Sequence, residues 1–493
     1  MSDVSRKESV AAVIVFSTLL FYPAFFCFLL SRGVGDADVW WHVKSGEWIV
    51  QHRGWPTVDV FSSHAGGSPW LAYSWLPELL LYGLYQVFGP RGLVLYTAAL
   101  STCVIGMLHR LVWRYQPYVL RSCMLTAAAA FGLIPVFTPR PWLLSMLFLV
   151  IELDLLLRSA RQRDHRALLW LPPLFCIWAN SHIEFALGLA VLALAVVASF
   201  LQRLDTLRGI LDEQHLPSPR RMVLLLVLCA SCALISPYGY RVYGAALACF
   251  VQGSTLSNVI DEFIAPRFRH APDWVFLSVV VAAAFVAGWR RRVTPLLALL
   301  YLLSLWLGFR SGRGTGPSLV IGVVVVACAL PQYGRSPRHY SVALRMAILA
   351  CVALMMGGGF LSLNESRLGR ESARQFPAHA VEFIQQQEYV GPIFNSFGWG
   401  GYLICHLPQF PVSIDGRGLV HGNERIARHM ETQQGRESWR TDPELMQAKL
   451  ILLPKHMPLA SVLRAAPRFR VVYEDEVAVV LVPQGEEKAL QPG

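Results

Sequence analysis

Long apolar runs separated by short, arginine-rich connections restrict the fold of this chain more than any other feature. A helix crosses a bilayer with roughly twenty apolar residues, or with fewer where neighbouring helices shield its ends. About eleven runs meet this requirement, at 10–31, 91–113, 122–139, 142–157, 168–181, 184–202, 221–236, 273–289, 294–309, 315–330 and 341–362. Only 15% of the 493 residues are charged, whereas a soluble domain carries about 25%. The sequence therefore predicts an α-helical polytopic membrane protein.

The segment 75–88 is apolar but too short to be a confident span. Its polar residues Glu78, Tyr82, Tyr85 and Gln86 fall at helical spacing and so share one face. A helix with one polar face is typical of a segment that lies along the membrane surface. We therefore predict an interfacial helix here.

Arginine placement supports this interpretation and predicts the orientation. If 75–88 does not cross the membrane and the N-terminus is cytoplasmic, the arginine-rich loops at 110–121, 158–166, 203–221, 290–292 and 335–345 are all cytoplasmic. Cytoplasmic loops are the ones that carry excess Lys and Arg. An odd number of spans then places the C-terminus outside the cytoplasm. The net charge of +11 has the same origin, so we expect no nucleic-acid partner.

The composition changes near residue 363, where charged residues become frequent and apolar runs shorten to strand length. We predict a transmembrane domain over 1–362 and a soluble extracytoplasmic α/β domain over 363–493. Two loops of the transmembrane domain are long and lie on the outer face: the first outer loop, 32–90, and the second outer loop, at 237–272. In the second domain we expect strands at 393–397, 412–415, 450–454, 471–473 and 477–482. Helices are expected at 372–388, 422–434 and 458–466.

Ionisable and polar side chains collect on the predicted outer face. Such groups are costly near a membrane, so their position is informative. The candidate site residues are Asp36, Asp38, His42, Glu78, Arg140, Asn180, His182, Glu262, Arg310 and Arg313. The simpler alternative is that these residues cap helix ends at the interface.

Asp38 opens a predicted helix and has two interpretations. Asp is a good N-cap residue and needs no further role there. Alternatively, its carboxylate acts as a general base that takes a proton from an acceptor hydroxyl. Asp36 could share that role, and two neighbouring carboxylates are also a minimal site for a divalent cation.

Arg140, Arg310 and Arg313 suggest binding of a lipid phosphate, because a guanidinium pairs with phosphate in a fork. Snorkelling at the interface is the alternative for each of them. His182 is either a polar turn residue or a catalytic one. The six tryptophans between residues 40 and 75 form either an interface belt or a stacking surface for a sugar or prenyl chain.

The layout of a first span, a long acidic outer loop, an interfacial helix and a basic cytoplasmic loop resembles the GT-C glycosyltransferases. Protein O-mannosyltransferases and lipid A aminoarabinose transferases share it. A group of largely uncharacterised bacterial polytopic membrane proteins is more similar still, over most of the chain. The motifs that carry this likeness are Gly35-Asp36-Ala37-Asp38-Val39-Trp40-Trp41-His42, Gly46-Glu47-Trp48-Ile49, Pro56, Asp59-Val60-Phe61-Ser62, Trp75-Leu76-Pro77-Glu78, Arg140-Pro141, Trp178-Ala179-Asn180-Ser181-His182, Ser236-Pro237-Tyr238-Gly239, Phe397-Gly398-Trp399-Gly400-Gly401-Tyr402-Leu403 and Ile414-Asp415-Gly416-Arg417.

The resemblance implies an inverting transfer of a sugar from a polyprenyl-phosphate carrier to an unidentified acceptor, on the outer face of a bacterial inner membrane. The better-known enzymes often show Asp-Glu in the first loop, where this chain has Asp36-Ala37-Asp38. The base is therefore open between the two, although the distance to Gly54-Trp55 favours Asp38. No nucleotide-binding fingerprint is present, so we expect no nucleotide cofactor.

Two other function classes remain as alternatives. A lipid or polysaccharide transporter or flippase should carry polar or Gly/Pro-broken helices at mid-membrane. In this sequence the polar residues instead collect at one end of the spans. An inactive relative could act as a scaffold through residues 363–493, which the retained acids of the first loop argue against.

The predicted orientation can be tested with reporter fusions. A reporter that is active only in the cytoplasm should work when fused near Arg163 or Arg291, because both lie in arginine-rich loops. The same reporter should be inactive when fused after residue 370. Activity at residue 370 would overturn the orientation.

Overall fold

The computed structural model describes residues 21–204, 212–255, 261–290, 293–331 and 342–484. It is mostly helical, with 68% of residues in helices and a small C-terminal sheet. The first half of the predicted span 10–31 and the loop arginines at 208, 291–292, 335 and 338 lie outside the described residues.

Apolar helices occupy the positions of the predicted spans. These helices are α1 (Phe21–Leu30), α4 (Pro90–Tyr115), α5 (Val119–Gly132), α6 (Trp142–Gln162), α7 (Leu171–Ala179), α8 (Phe185–Leu201), α9 (Pro219–Ala233), α11 (Ala271–Arg290), α12 (Pro295–Arg310), α13 (Thr315–Ala329) and α14 (Val342–Leu361). Helices α2 (Asp38–His52), α3 (Trp75–Phe88) and α10 (Arg241–Thr255) lie in the two predicted outer loops. A helix at 75–88 is as expected.

Length and composition single out fewer helices than the sequence pattern does. Within the described residues, three are both long and apolar enough to cross a membrane: Pro90–Tyr115, Ala271–Trp289 and Gly312–Ala329. A fourth is added if α14 and the helix after it form one broken span. Four further apolar helices, including α5 and α8, have only 10–17 residues. The number of spans therefore stays a prediction.

The chain divides into two compact units that do not follow its order. Unit 1 comprises Met1–Arg32, Val94–Ala246 and Ile260–Leu363. Unit 2 combines Gly33–Leu93 and Leu247–Val259 with Asn364–Gly493. The predicted boundary at 362/363 separates transmembrane from extracytoplasmic residues, whereas the two units are separated by compactness. The boundary therefore stays a prediction.

The C-terminal part of unit 2 contains a four-stranded sheet. Strands β1 (Ile393–Asn395), β2 (Leu450–Pro454), β3 (Phe469–Glu474) and β4 (Ala478–Pro483) are arranged in the order β1-β2-β4-β3. β1 pairs with β2 in parallel, and the other two pairs are antiparallel. The helices of this part are α15 (Glu365–Ala373), α16 (Ala378–Gln385), α17 (Gly400–His406), α18 (Gly418–His421), α19 (Asn423–Gln433), α20 (Pro443–Gln447) and α21 (Pro458–Ala465).

The prediction of a strand at 412–415 is wrong. The Asn395 side chain makes hydrogen bonds to backbone groups of this segment that a neighbouring strand would otherwise make. Val412 makes only single bridges, to Ser62 and to Ile393. Beyond it, Asn395 Oδ1 accepts from Ser413 N at 2.9 Å and Asn395 Nδ2 donates to the Ile414 carbonyl at 2.8 Å. The segment therefore runs beside β1 without joining the sheet.

The helix predicted at 372–388 is two helices, α15 and α16, with Pro377 between them. A proline disfavours helical conformation in the residue before it, so one helix ends and the next begins there. The other predicted helices correspond to α19 and α21, and the remaining four strands lie where expected to within a few residues.

Replacing Asn395 with alanine should destabilise unit 2. The change leaves the buried Ser413 N–H and Ile414 carbonyl without their Asn395 partners, which costs about 1–3 kcal/mol for each group. Thermal unfolding of the purified protein measures the loss. The matched control is Asn364→Ala, which removes an exposed helix cap at Ser366 N and should cost about 1 kcal/mol. Equal losses in both variants would contradict this role of Asn395.

Candidate active site

The two acids of the first loop stand at the start of α2 and differ in role. Asp36 is buried, with 7% of its surface exposed, and its Oδ1 accepts a hydrogen bond from Asp38 N at 2.9 Å. Ala37 is the N-cap residue and Asp38 is the first residue of the helix. The predicted capping role of Asp38 is therefore wrong, and Asp36 binds the helix start instead. The Asp38 side chain is thus not needed as a cap.

One turn further along α2, His42 forms a buried pair with Glu78 of α3. His42 Nδ1 lies 2.9 Å from Glu78 Oε1, and both side chains are less than a tenth exposed. Burial raises the pKa of Glu78 well above its ordinary range, and the charge of Arg417 partly offsets this. An imidazole held by a carboxyl group can exchange a proton with it. The sequence placed these residues on one face but did not pair them.

Tryptophans of the first loop are buried in protein, so an interface belt is the wrong interpretation for several of them. Trp40 is 2% exposed and Trp41 is 7% exposed. The Trp40 ring packs edge-on against Tyr402 and at 4.8 Å from the His406 ring. In contrast, Trp55 is 47% exposed. The start of α2 is therefore packed against the C-terminal part of unit 2.

Arg417 lies at the centre of a buried charge network that sequence reasoning did not select. Its Nη1 donates to Asp59 Oδ1 at 2.6 Å, and its Nε and Nη2 bind the two oxygens of Asp415 at 2.9 and 2.7 Å. Nη2 also donates to Ser62 Oγ at 3.1 Å. Burial alone would raise the pKa of Asp415, but Arg417 and His421 hold it well below its usual range. The resemblance motifs contained Asp59 and Asp415-Gly416-Arg417, which is the signal that could have found this network.

A small hairpin in the first outer loop positions several residues that contact Arg417. Asp59 lies in a small hairpin in which its N–H donates to the Ser68 carbonyl at 2.8 Å. The rings of Phe61 and Trp70 lie 5.1 and 4.9 Å from the guanidinium carbon of Arg417. The cation is thus enclosed by carboxylates and aromatic faces, both of which stabilise it.

The same C-terminal segment contacts Asp38 through a glycine. A Cβ atom added to Gly416 would collide with Asp38 Oδ1 and lie 3.0 Å from Oδ2. Two residues further on, the Gly418 carbonyl accepts from Gln252 Nε2 at 2.6 Å. Residues 415–418 therefore contact both predicted outer loops within unit 2.

In unit 1, His182 lies in a buried cluster near two of the predicted arginines. Its Nδ1 is 3.0 Å from Ser145 Oγ, which itself accepts from Trp178 Nε1 at 2.8 Å. Glu184 N also donates to Nδ1, at 3.4 Å, so Nδ1 is an acceptor, the Ser145 hydroxyl donates to it, and the ring proton is on Nε2. Burial, and to a lesser extent the charges of Arg313 and Arg140, together lower the pKa of His182 to about 3.

The three predicted arginines differ in the contacts that they make. Arg140 Nη1 pairs with Glu262 Oε1 at 2.9 Å, and Arg140 and Arg313 are both close enough to His182 to act on its pKa. The guanidinium of Arg310 instead lies over the Trp306 ring, at 5.0 Å. The cluster in unit 1 therefore comprises Arg140, Arg313, Glu262 and His182.

Asn180 binds backbone rather than facing open space with its amide. Its Nδ2 donates to the carbonyls of Cys176 and Ile235, at 2.8 and 2.7 Å. A substrate-binding role for Asn180 stays a prediction. Among the described residues, no group of three or more His, Cys, Asp or Glu side chains is placed to hold a metal ion.

Comparisons with known proteins place the fold. No protein-family model matches the chain, and no curated protein matches it by sequence. The structure of ArnT from Cupriavidus metallidurans bound to undecaprenyl phosphate is similar, with 12% identity and a TM-score of 0.50 over 98% of this chain and 100% of that one. The Archaeoglobus fulgidus oligosaccharyltransferase tethered to an acceptor peptide with the NVT sequon has 12% identity and a TM-score of 0.52, over 89% of this chain and 69% of that one.

The pH dependence of stability should reveal His182. In the folded protein its pKa is about 3, against an ordinary value of 6.5. Between these values the unfolded chain binds the extra proton, so stability falls as the pH decreases. From pH 7 to pH 5 this costs about 2 kcal/mol, and His182→Gln should lose that much less than the wild type. Thermal unfolding at both pH values measures the difference.

The control for this measurement is His379→Gln, because the His379 side chain is 66% exposed. This variant should lose stability in parallel with the wild type. If His182→Gln does the same, the histidine is not buried in its neutral form.

Proposed function

We propose that the chain, whose fold is similar to those of ArnT and an oligosaccharyltransferase, is a glycosyltransferase of the GT-C type that transfers a sugar from a polyprenyl-phosphate carrier to an acceptor hydroxyl, with inversion. The observation that carries the proposal is the fold, which is similar to that of ArnT bound to undecaprenyl phosphate, together with the position of the Asp38 carboxylate in the first turn of α2, against Gly416. The chain is then a protein of about eleven spans in a bacterial inner membrane, with its N-terminus cytoplasmic and residues 363–493 extracytoplasmic.

In the proposed reaction Asp38 takes the proton of the acceptor hydroxyl as that oxygen attacks the anomeric carbon. The new carbon–oxygen bond forms on the side opposite the carrier, and the bond to the carrier phosphate breaks. General-base assistance of this kind contributes on the order of 10²–10⁴-fold in rate. Glu78 holds His42, and the pair can accept the proton from the site after transfer.

A phosphate headgroup is an anion and is bound by cations. Within unit 1, Arg140 and Arg313 are proposed to bind one, because both arginines act on the pKa of the same buried His182 and so lie near it. Arg140 is paired with Glu262, whose side chain is 45% exposed, so a phosphate can replace that carboxylate by a fork of two hydrogen bonds. Arg310, held over Trp306, is proposed to contact lipid at the surface.

The alternative of a transporter has one observation in its favour. Glu152 of α6 is fully buried, and neither carboxyl oxygen has a hydrogen-bond partner among the described residues. A buried ionisable group in a predicted span can mark a transport pathway. Translocation of a labelled polyprenyl-phosphate lipid that survives Asp38→Asn but is lost in Glu152→Gln would favour this alternative.

Asp38→Asn should lower sugar transfer by about 10²–10⁴-fold, because the amide cannot accept the hydroxyl proton. The assay follows transfer from a polyprenyl-phosphate sugar by purified variants whose melting temperatures match. Asp36→Asn is the matched control, since an asparagine oxygen still accepts the hydrogen bond of Asp38 N, and it should be much milder. Unchanged turnover in Asp38→Asn would remove this residue from the reaction.

A further inference from the structure

We propose that residues 415–418 form one wall of the reaction site, and that Gly416 positions the Asp38 carboxylate. The proposal rests on the role of Asp38 in the proposed function. According to this proposal, the C-terminal part of unit 2 lines the reaction site itself and does not serve only to bind something elsewhere.

The contact leaves no room for a side chain at position 416. A Cβ there would collide with Asp38 Oδ1 and lie 3.0 Å from Oδ2, which is less than van der Waals contact allows. A backbone that approaches a carboxylate this closely restricts the side-chain rotamers open to it. Gly416 therefore limits where the Asp38 carboxylate can lie.

The position of Gly416 is itself held from both sides. Asp415 and Arg417 bind each other through side chain and backbone, since Asp415 Oδ1 also accepts from Arg417 N at 2.8 Å. Arg417 is tied to Asp59 at 2.6 Å, and Gly418 is tied to Gln252 at 2.6 Å. These hydrogen bonds on both sides fix the position of Gly416, although a glycine by itself has a wide choice of φ and ψ.

The residues around the carboxylate support the same conclusion. The Ala37 carbonyl packs against Gly401, where a Cβ would collide with it. The packing of α2 against α17 therefore fixes the position of the first residues of α2, and Gly416 limits the direction in which the Asp38 side chain points. Both α17 and residues 415–418 belong to the C-terminal segment, so this segment places Asp38 in two ways.

Gly416→Ala tests the proposal, because the three atoms nearest to the added methyl all belong to the end of the Asp38 side chain. The carboxylate can rotate away, so the melting temperature should stay near that of the wild type. A displacement of about 1 Å at a reacting group can cost on the order of 10²-fold in rate. We expect kcat to fall by that order while KM is little changed.

Gly369→Ala is the matched control, because Gly369 lies in α15 of the same unit with nothing within 4 Å of an added Cβ. It should transfer sugar as the wild type does. In an Asp38→Asn background, Gly416→Ala should cause no further loss, because the base is already gone. Unchanged kcat in Gly416→Ala, or additive losses in the double variant, would overturn the proposal.

A second measurement does not need activity. Gly416→Val adds bulk that rotation of Asp38 cannot absorb, so it should lower the melting temperature, and Asp38→Ala should restore part of the loss. Additive effects on melting would show that the two residues do not touch. If the coupling is present but the wild type transfers no sugar, the contact stands and the proposed function fails.

Discussion

Unit 2 depends on the buried ion pairs that the Arg417 guanidinium forms with Asp59 and Asp415. The Arg417 side chain is 2% exposed, and it binds two carboxylates that are fully buried. An isolated cation in such a place would be strongly unfavourable, whereas a fully hydrogen-bonded one costs far less. Removing one partner of a buried ion pair typically costs about 3–5 kcal/mol, because the remaining charge is left uncompensated. Segments that are far apart in sequence must therefore stay together to keep these buried charges paired.

This requirement explains why unit 2 is assembled from three pieces of the chain. Asp59 comes from the first long loop, and Asp415 and Arg417 come from the C-terminal segment. Gln252, from the second loop, adds its hydrogen bond at Gly418. Hydrophobic packing alone would tolerate small shifts among these pieces, but forked hydrogen bonds to carboxylates fix their register. The candidate base is then held by the fold rather than by its own helix.

The sequence predicted correctly whether most segments are helices or strands, because that choice depends on the pattern of residues within each segment. Apolar runs give helices because helical hydrogen bonds satisfy the backbone where water is excluded. Alternating apolar residues near the C-terminus give strands for an equally local reason. The failure at 412–415 is instructive, since Val412 to Ile414 has the composition of a strand. The side chain of Asn395 occupies the backbone groups there, and no pattern within 412–415 could reveal a partner 19 residues away.

For the candidate site, the sequence by itself determined which groups can do chemistry: Asp36 and Asp38 open a helix, and arginines collect on one predicted face. Only the tertiary structure decided which of them meet. It bound the Asp36 carboxylate to the backbone N–H of Asp38, paired His42 with Glu78 and placed Gly416 against Asp38. It also placed Arg140 and Arg313 near His182 and the guanidinium of Arg310 over the Trp306 ring. The physical reason is that residue type and local spacing are properties of short segments, whereas a buried charge finds its partner through the packing of the whole unit.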